Sequence, residues 1–313
     1  MHTIELPDAK IKRYIPSDLS ECDPQQYIDM CELIFHFQND AINYDEFRTH
    51  AVYKLMNMIP KTVKELENQT EEDQTIQAEK FANIYMISEL IDDFFDIDDK
   101  GKKTIKQYYT HNPVPSFKPL YTTFYGPSDS FEDMTFGEYR EGLRLFHDFH
   151  ATGDMHILTL LTAVFYRRKK SFHCIKKRLA SYDGNIRERY NSNTLNERAK
   201  EIKIAPIGFI YGFYLLFASF QKYLVDAKIL WGGQEIDFSI LFESSKAEES
   251  TTNEVPGIGM DSIAFSMAES GTFGNIKEVD NTNFWEIMIR MYDLRRTDLE
   301  RIKQEANATN KQT

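Results

Sequence analysis

The sequence predicts a mainly α protein: a multi-helix domain with a buried central helix, few short strands, and a C-terminal helical unit. Three observations carry that expectation. Residues 204–220, IAPIGFIYGFYLLFASF, form an uncharged apolar run in a chain whose mean hydropathy is −0.50 and whose net charge is −12. Helix starts are written repeatedly, as Asp23 before Pro24 and as the pairs Thr135 with Glu138, Thr194 with Glu197 and Asn283 with Glu286, each spaced to cap free backbone amides. Strand signals are confined to residues 234–242, QEIDFSILF, which follow a Trp231-Gly232-Gly233 turn.

In chain order, Asp23 and Pro24 open a helix expected to reach Gln38, and a second is expected over residues 44–58, stopped by Pro60. Thr70 with Asp73 is expected to cap a third. Its stripe, Phe81, Ile84, Tyr85, Ile91, Phe94 and Phe95, recurs at the three-and-four spacing of one helix face. Residues 111–127 carry four prolines besides aromatic side chains and read as an extended, packed connection. Thr135 and Glu138 cap a helix with the apolar face Phe136, Tyr139, Leu143, Phe146 and His150; Gly153-Asp154 then restarts the chain into a helix over 155–168. The Thr194 helix must end or kink at Pro206, where the central apolar run begins.

A membrane span needs about 20 predominantly apolar residues. The central run is shorter, has Pro206 at its start and is bracketed by Lys203 and Lys222, so it reads as a helix buried by protein on all sides. Within it Gly208 and Gly212 mark the close approach of another backbone. Residues 243–256, ESSKAEESTTNEVP, have lost nearly all apolar character and read as a linker, so the expected domains are 1–242 and a C-terminal helical unit over 257–313. In that unit two helices flank Gly271-Thr272-Phe273-Gly274, and the last is expected over 284–305 ahead of a polar tail.

The 313 residues, 42% hydrophobic, suffice for a core, and the acidic balance argues against general binding to phosphate backbones. Cys22, Cys31 and Cys174 are too few and too scattered for a disulfide framework or a CxxC metal site. The N-terminus has no apolar stretch of signal-peptide length, so no secretion is expected. Charge is segregated along the chain. Residues 65–99 hold twelve acidic side chains and one basic, a net of −11; residues 167–189 hold nine basic and two acidic, a net of +7. Such blocks read as solvated faces, with Arg167 to Lys170 complementing the end of the preceding helix, or as an acidic block of one copy meeting the basic block of a neighbour.

Catalytic and ligand motifs fail on inspection. His147, His150 and His156, with Asp148 and Asp154, are the nearest to a metal cluster, but they lack an HExxH-type spacing and His150 continues an apolar stripe. Asp96, Asp98 and Gly101 begin a calcium loop whose later positions are Lys100 and Gln107, where oxygen ligands are required. Gly257-Ile258-Gly259 lacks the final glycine and the preceding strand of a dinucleotide loop. Cys174 beside His173 is a neighbour pair along the chain, not a dyad. No metal and no cofactor is implied. The last helix, by contrast, places Trp285, Met288 and Tyr292 on one aromatic and methionine-rich face, suited to a partner groove or to packing on its own domain.

The phrases Tyr125-Gly126-Pro127, Met134-Thr135-Phe136-Gly137-Glu138, Tyr166-Arg167-Arg168, Gly184-Asn185-Ile186-Arg187 and Gly271-Thr272-Phe273-Gly274 resemble proteins encoded among the structural and tail-morphogenesis genes of phages and prophages of Bacteroidetes bacteria. The resemblance spans residues 125–292. It implies a non-enzymatic morphogenesis protein made in the host cytoplasm, either a tail-assembly chaperone or a virion component. The partners it implies are other phage structural proteins, or further copies of the chain, with no membrane. On that reading Trp285, Met288 and Tyr292 are the expected partner contacts. Two other classes stand beside it: a nucleic-acid-contacting protein using residues 167–189, and a metal-dependent enzyme using the histidines.

Overall fold

Helices dominate the chain, as expected. The computed structural model describes residues 1–6, 11–59, 71–97, 101, 103–180, 182, 184–226, 228–242 and 259–310. Among these there are eleven α-helices, and the strands are short and lie in small sheets. The chain divides into two units, Met1–Val114 with Ile204–Leu216, and Pro115–Lys203 with Phe217–Thr313.

In the first unit an antiparallel pair, β1 (His2–Leu6) and β2 (Ile11–Ile15), precedes α1 (Pro24–Gln38), α2 (Tyr44–Leu55) and α3 (Glu71–Ser88). Asp23 caps α1, accepting from the Gln25 and Gln26 amides at 2.9 Å, and Pro24 occupies the first turn, where an amide would have no partner. Asn43 and Glu46 form a reciprocal capping box on α2. The rings of Phe37, Phe47 and Phe95 then cluster, with centroids 5.3 Å apart for Phe37–Phe47 and 5.6 Å for Phe47–Phe95. The short pair β3 (Phe95–Ile97) and β4 (Lys103–Ile105) carries Phe95 into that cluster.

The central apolar run is the helix α8 (Ile207–Asp226), which begins just after Pro206 and supplies its residues through Leu216 to the first unit and from Phe217 to the second. In the first unit Phe209, Ile210, Phe213, Leu215 and Leu216 are buried. Its two glycines do what their spacing predicted. A Cβ on Gly208 would stand 2.0 Å from the Ile28 carbonyl oxygen, and one on Gly212 2.8 Å from the Tyr27 ring, so α1 lies against the bare backbone. Tyr27 seals the contact by donating to the Gly212 carbonyl at 2.7 Å, with the Tyr109 hydroxyl 2.8 Å away. Among the described residues no helix is long and apolar enough to cross a membrane.

The second unit holds β5 (Ser116–Phe117), β6 (Phe124–Tyr125), α4 (Phe136–Thr152), α5 (Met155–Phe165), β7 (Arg167–Arg168), the single turn α6 (His173–Lys176), α7 (Leu195–Ile202), β8 (Lys228–Trp231), β9 (Gln234–Asp237), α9 (Met260–Glu269), α10 (Ile276–Asn281) and α11 (Phe284–Asn310). Its core is aromatic. Phe131 meets Phe165, Phe217 and Phe220, the last at 4.4 Å between centroids, and Gly142 gives the Phe165 ring its room. α4 starts at the predicted Thr135–Glu138 capping box and stops at Gly153, whose φ of +67° favours glycine. Asp154 then caps α5.

Several expectations are revised. The 243–256 segment, expected as a linker, falls outside the described residues; α9 to α11 belong to the same compact unit as residues 115–203. The joint is made by backbone, since the Phe136 amide donates to Thr282 O and the Phe284 amide to Met134 O, both at 2.9 Å, and by the Phe284 ring 4.3 Å from Tyr139. The stripe from Phe81 to Phe95 is not one helix face. α3 ends at Ser88, a 3₁₀ turn carries Ile91 and Phe94, and Phe95 is in β3; Phe81 and Tyr85 stay exposed. Its proposed cap, Thr70, lies outside the described residues. The 155–168 helix ends at Phe165, because Tyr166 turns extended and Arg167 pairs as strand with Tyr125. Thr194 forms no capping box with Glu197; its hydroxyl donates to the Asn191 carbonyl instead. The 234–242 strand is a hairpin, β8 with β9, followed by a 3₁₀ turn, and β1 with β2 was not anticipated at all.

Candidate functional site

Two arginines of the basic block are buried, and what surrounds them defines a site. Tyr166 ends α5 in extended backbone, and β7 then pairs with β6 so that Arg167 lies opposite Tyr125. From there the chain runs out and returns: the Lys170 amide donates to Ile186 O at 3.0 Å and the Glu188 amide to Arg168 O at 2.8 Å. Residues between these rungs form an excursion whose two feet are Arg167 and Arg187. Both guanidinium groups are sealed from water, at 1% and 0% exposure.

A buried charge is tolerated only when it is paired and its hydrogens are satisfied. Both conditions are met. Glu138, itself 1% exposed, places Oε1 2.5 Å from Arg167 Nη2 and Oε2 3.7 Å from Arg187 Nη2. Arg187 Nη2 also reaches Asp133 Oδ1 at 2.9 Å. The remaining donors go to carbonyls: Arg167 to Glu188 O and Val164 O, Arg187 to Phe165 O. Asn185 accepts from the Arg187 amide at 2.8 Å and donates to Asp133 O at 3.0 Å. Burial lowers the Arg167 pKa to about 10, against the pull of Glu138, which leaves it protonated at neutral pH. Glu138 therefore serves twice, as capping-box partner of Thr135 and as the counter-ion of the excursion.

The outer part of the excursion has the opposite character. Residues 169–179 contain five cations, Lys169, Lys170, Lys176, Lys177 and Arg178, and no acid. Between them three apolar side chains, Phe172, Ile175 and Leu179, are 77%, 64% and 54% exposed, Ile175 within the single turn α6 and the other two on either side of it. Phe172 also holds a left-handed φ of +57°, which is costly for a bulky L residue and brings it no burial. His173 is kept below its ordinary pKa by desolvation and by Lys169, Lys177 and Lys170, so the charge of the tip at neutral pH comes from lysine and arginine. Seven of the nine basic side chains of the block are exposed or half-exposed, while Arg167 and Arg187 are interior and three apolar side chains share the tip.

The face of α11 predicted to meet a partner is largely occupied within its own unit. Met288 is 1% exposed and Phe284 and Ile287 are fully buried, because the first turns of α11 close the aromatic core. Trp285 is half-buried, with its ring 5.8 Å from Phe220 and 6.2 Å from Phe238, and Tyr292 meets Phe238 at 6.1 Å. Met288 is thus buried within its own unit.

The histidines also have structural duties. His150 stacks edge-on against Phe146 at 4.6 Å, and burial together with His147 lowers its pKa. Asp148 is paired with Arg144 at 2.8 Å and Asp154 accepts from the His156 amide. Among the described residues no three of His, Cys, Asp or Glu are grouped to hold a metal ion. Asp96, from the rejected calcium loop, accepts from the Tyr108 hydroxyl at 2.8 Å.

A cleft of about 1110 Å³ opens in the second unit beside Arg140, Arg144, Tyr190, Met260 and Asp280. Arg140 is held there by Asp261 and Asp280, both at 2.9 Å, and Arg144 by Glu141 at 2.6 Å. The Tyr190 hydroxyl and Asp280 Oδ1 are buried without a hydrogen-bond partner, and burial raises the pKa of both groups. These two atoms offer one donor and one acceptor to a bound molecule. The arginines are already neutralised, so the cleft has no surplus charge by which to select one.

Four of the five phrases that carry the phage resemblance meet at the base of the excursion: Tyr125 beside Arg167, Thr135 with Glu138, Tyr166 to Arg168, and Asn185 with Arg187. No family model, no curated protein and no solved structure matches the chain.

Proposed function

We propose that the protein is a non-enzymatic phage morphogenesis component, made in the host cytoplasm, that works by binding other particle proteins through the excursion at residues 169–179. The observation that carries this reading is the pairing of an exposed, strained apolar tip with a buried ionic base. Exposed Phe, Ile and Leu in water are unfavourable, and a partner that covers them recovers about 25 cal/mol per Å² of apolar surface. The five surrounding cations select an acidic rim and hasten encounter. The base keeps the tip in one orientation, so that little order is lost on docking. The resemblance supplies the class of partner: proteins of the phage particle.

The test is capture of co-expressed particle proteins by the full-length chain. Phe172→Ser with Ile175→Ser should reduce capture about tenfold or more while the circular dichroism and melting temperature stay unchanged, since neither side chain is buried. Undiminished capture by the folded double variant rejects the reading.

A second reading, contact with nucleic acid, is favoured by the exposure of Lys176, Lys177 and Arg178 at the same tip. It requires binding that falls steeply with salt and does not depend on Phe172.

A further inference from the structure

The first unit carries a face that is the chemical complement of the excursion. On α3 Phe81, Tyr85 and Met86 are 44%, 51% and 60% exposed. Phe81 and Tyr85, four residues apart, lie next to each other along the helix. Residues 73–93 hold five carboxylates, Asp73, Glu79, Glu89, Asp92 and Asp93, against one cation, Lys80. Asp92 is shared with Lys103 and Asp93 with His2, so the acidic character available to a partner rests first on Glu79 and Glu89. Tyr85 is braced by the Arg48 guanidinium, 5.5 Å from its ring centroid. The face thus offers exposed aromatic and methionine side chains in a segment with an excess of carboxylates, with Lys80 in it and Arg48 on Tyr85 as cations, whereas the excursion offers Phe172, Ile175 and Leu179 among cations alone.

We infer that the protein self-associates head to tail, the excursion of one copy docking on the α3 face of the next. The inference rests on the reading of the excursion as a protein-binding surface and names its occupant as a second copy of this chain. Each side alone exposes apolar groups at a cost, and each repels its own kind through like charge; joined, the apolar groups are covered and the charges compensate. The two faces differ, so the contact is heterologous: after pairing one copy keeps its α3 face and the other its excursion, and the pair still has one face of each kind unoccupied. Such contacts propagate into a ring where the rotation closes and into a filament where it does not.

The experiment places a photoactivatable benzophenone amino acid at position 172 of the full-length protein and mixes isotopically light and heavy copies before irradiation. Mass spectrometry then reports which residues are joined and whether they come from one copy or two. The expected product is a light–heavy crosslink from position 172 to residues 73–93. It should fall about tenfold or more when Phe81→Ser and Tyr85→Ser are introduced into the acceptor copy, and should weaken as salt is raised above about 0.15 M. Crosslinks formed only within a single copy, or between copies at residues remote from α3, overturn the inference. Crosslinks only to a different particle protein also overturn it but leave the reading of the excursion intact. Absence of any protein crosslink, with particle proteins present, removes both. Because position 172 is exposed and far from the interior, the labelled protein folds as the natural one does.

Discussion

Replacing Glu138 with alanine is expected to cost about 3–5 kcal/mol of folding stability, the range for leaving a buried charge without its partner. Of two guanidinium groups at 1% and 0% exposure, Arg187 would then keep Asp133 and Arg167 would lose the carboxylate it pairs with. Set against a total stability of about 5–15 kcal/mol for a typical domain, that loss is large enough to unfold much of the population on mild heating. Glu138→Gln separates charge from shape. A glutamine at this position still completes the capping box with Thr135, so a loss of at least about 2 kcal/mol in the glutamine variant belongs to the missing charge. Chemical denaturation at neutral pH reads both values. The same variants should speed hydrogen exchange in the amides of Lys170 and Glu188, whose rungs tie the excursion to its base. A glutamine variant as stable as the parent would show that the arginines do not depend on this carboxylate.

The second large effect is expected at Gly208. Any side chain there begins with a Cβ 2.0 Å from the Ile28 carbonyl oxygen and 2.9 Å from the Glu32 amide nitrogen, both backbone atoms of α1. Backbone inside a helix cannot swing aside, so α1 and α8 would have to separate and loosen the contacts sealed by Tyr27. Alanine regains about 1 kcal/mol of helix propensity, yet overpacking of this kind costs about 1–3 kcal/mol and more where nothing yields. Gly208→Ala is therefore expected to lower the melting temperature, and Gly208→Val to do so more strongly. Gly212→Ala is the internal comparison. Its nearest neighbours are the Tyr27 ring at 2.8 Å and Cys31 Sγ at 3.2 Å, side-chain atoms met less closely than the Ile28 backbone oxygen, so the loss should be smaller. Equal effects at the two glycines would contradict the backbone contact.

Much of the helical architecture was written locally. Asp23 with Pro24, Thr135 with Glu138, and Gly153 with Asp154 each satisfy amides or carbonyls within a few residues, so the signal and its consequence lie side by side. The buried helix was equally plain, because an uncharged run between Lys203 and Lys222 leaves no polar face to turn outward. What stayed hidden depends on partners distant along the chain. Arg167 follows an apolar helix and was expected to complement its carbonyl end, and one nitrogen does donate to Val164 O. Its burial, however, needs a carboxylate that lies 29 positions earlier and already has a local role in capping α4. Nothing in the spacing of Glu138 announces a second duty. The surroundings of the α11 face were hidden for the same reason: Trp285, Met288 and Tyr292 have the pattern of a docking surface, and Phe220 and Phe238 from other elements of the unit meet two of them. The excursion was legible only as charge. Phe172, Ile175 and Leu179 are apolar side chains of the kind that normally turns inward, and only the left-handed backbone and open surroundings reveal that they do not.

Hydrogen–deuterium exchange of the full-length protein over residues 169–180 tests the central claim most directly, measured once with the particle proteins that the proposed function names as partners and once with duplex DNA, each near about 0.15 M salt. Recognition of protein through the apolar tip predicts protection around Phe172, Ile175 and Leu179 with the particle proteins, and none with DNA. Protection by DNA that disappears as salt is raised, with no response to the particle proteins, would contradict it.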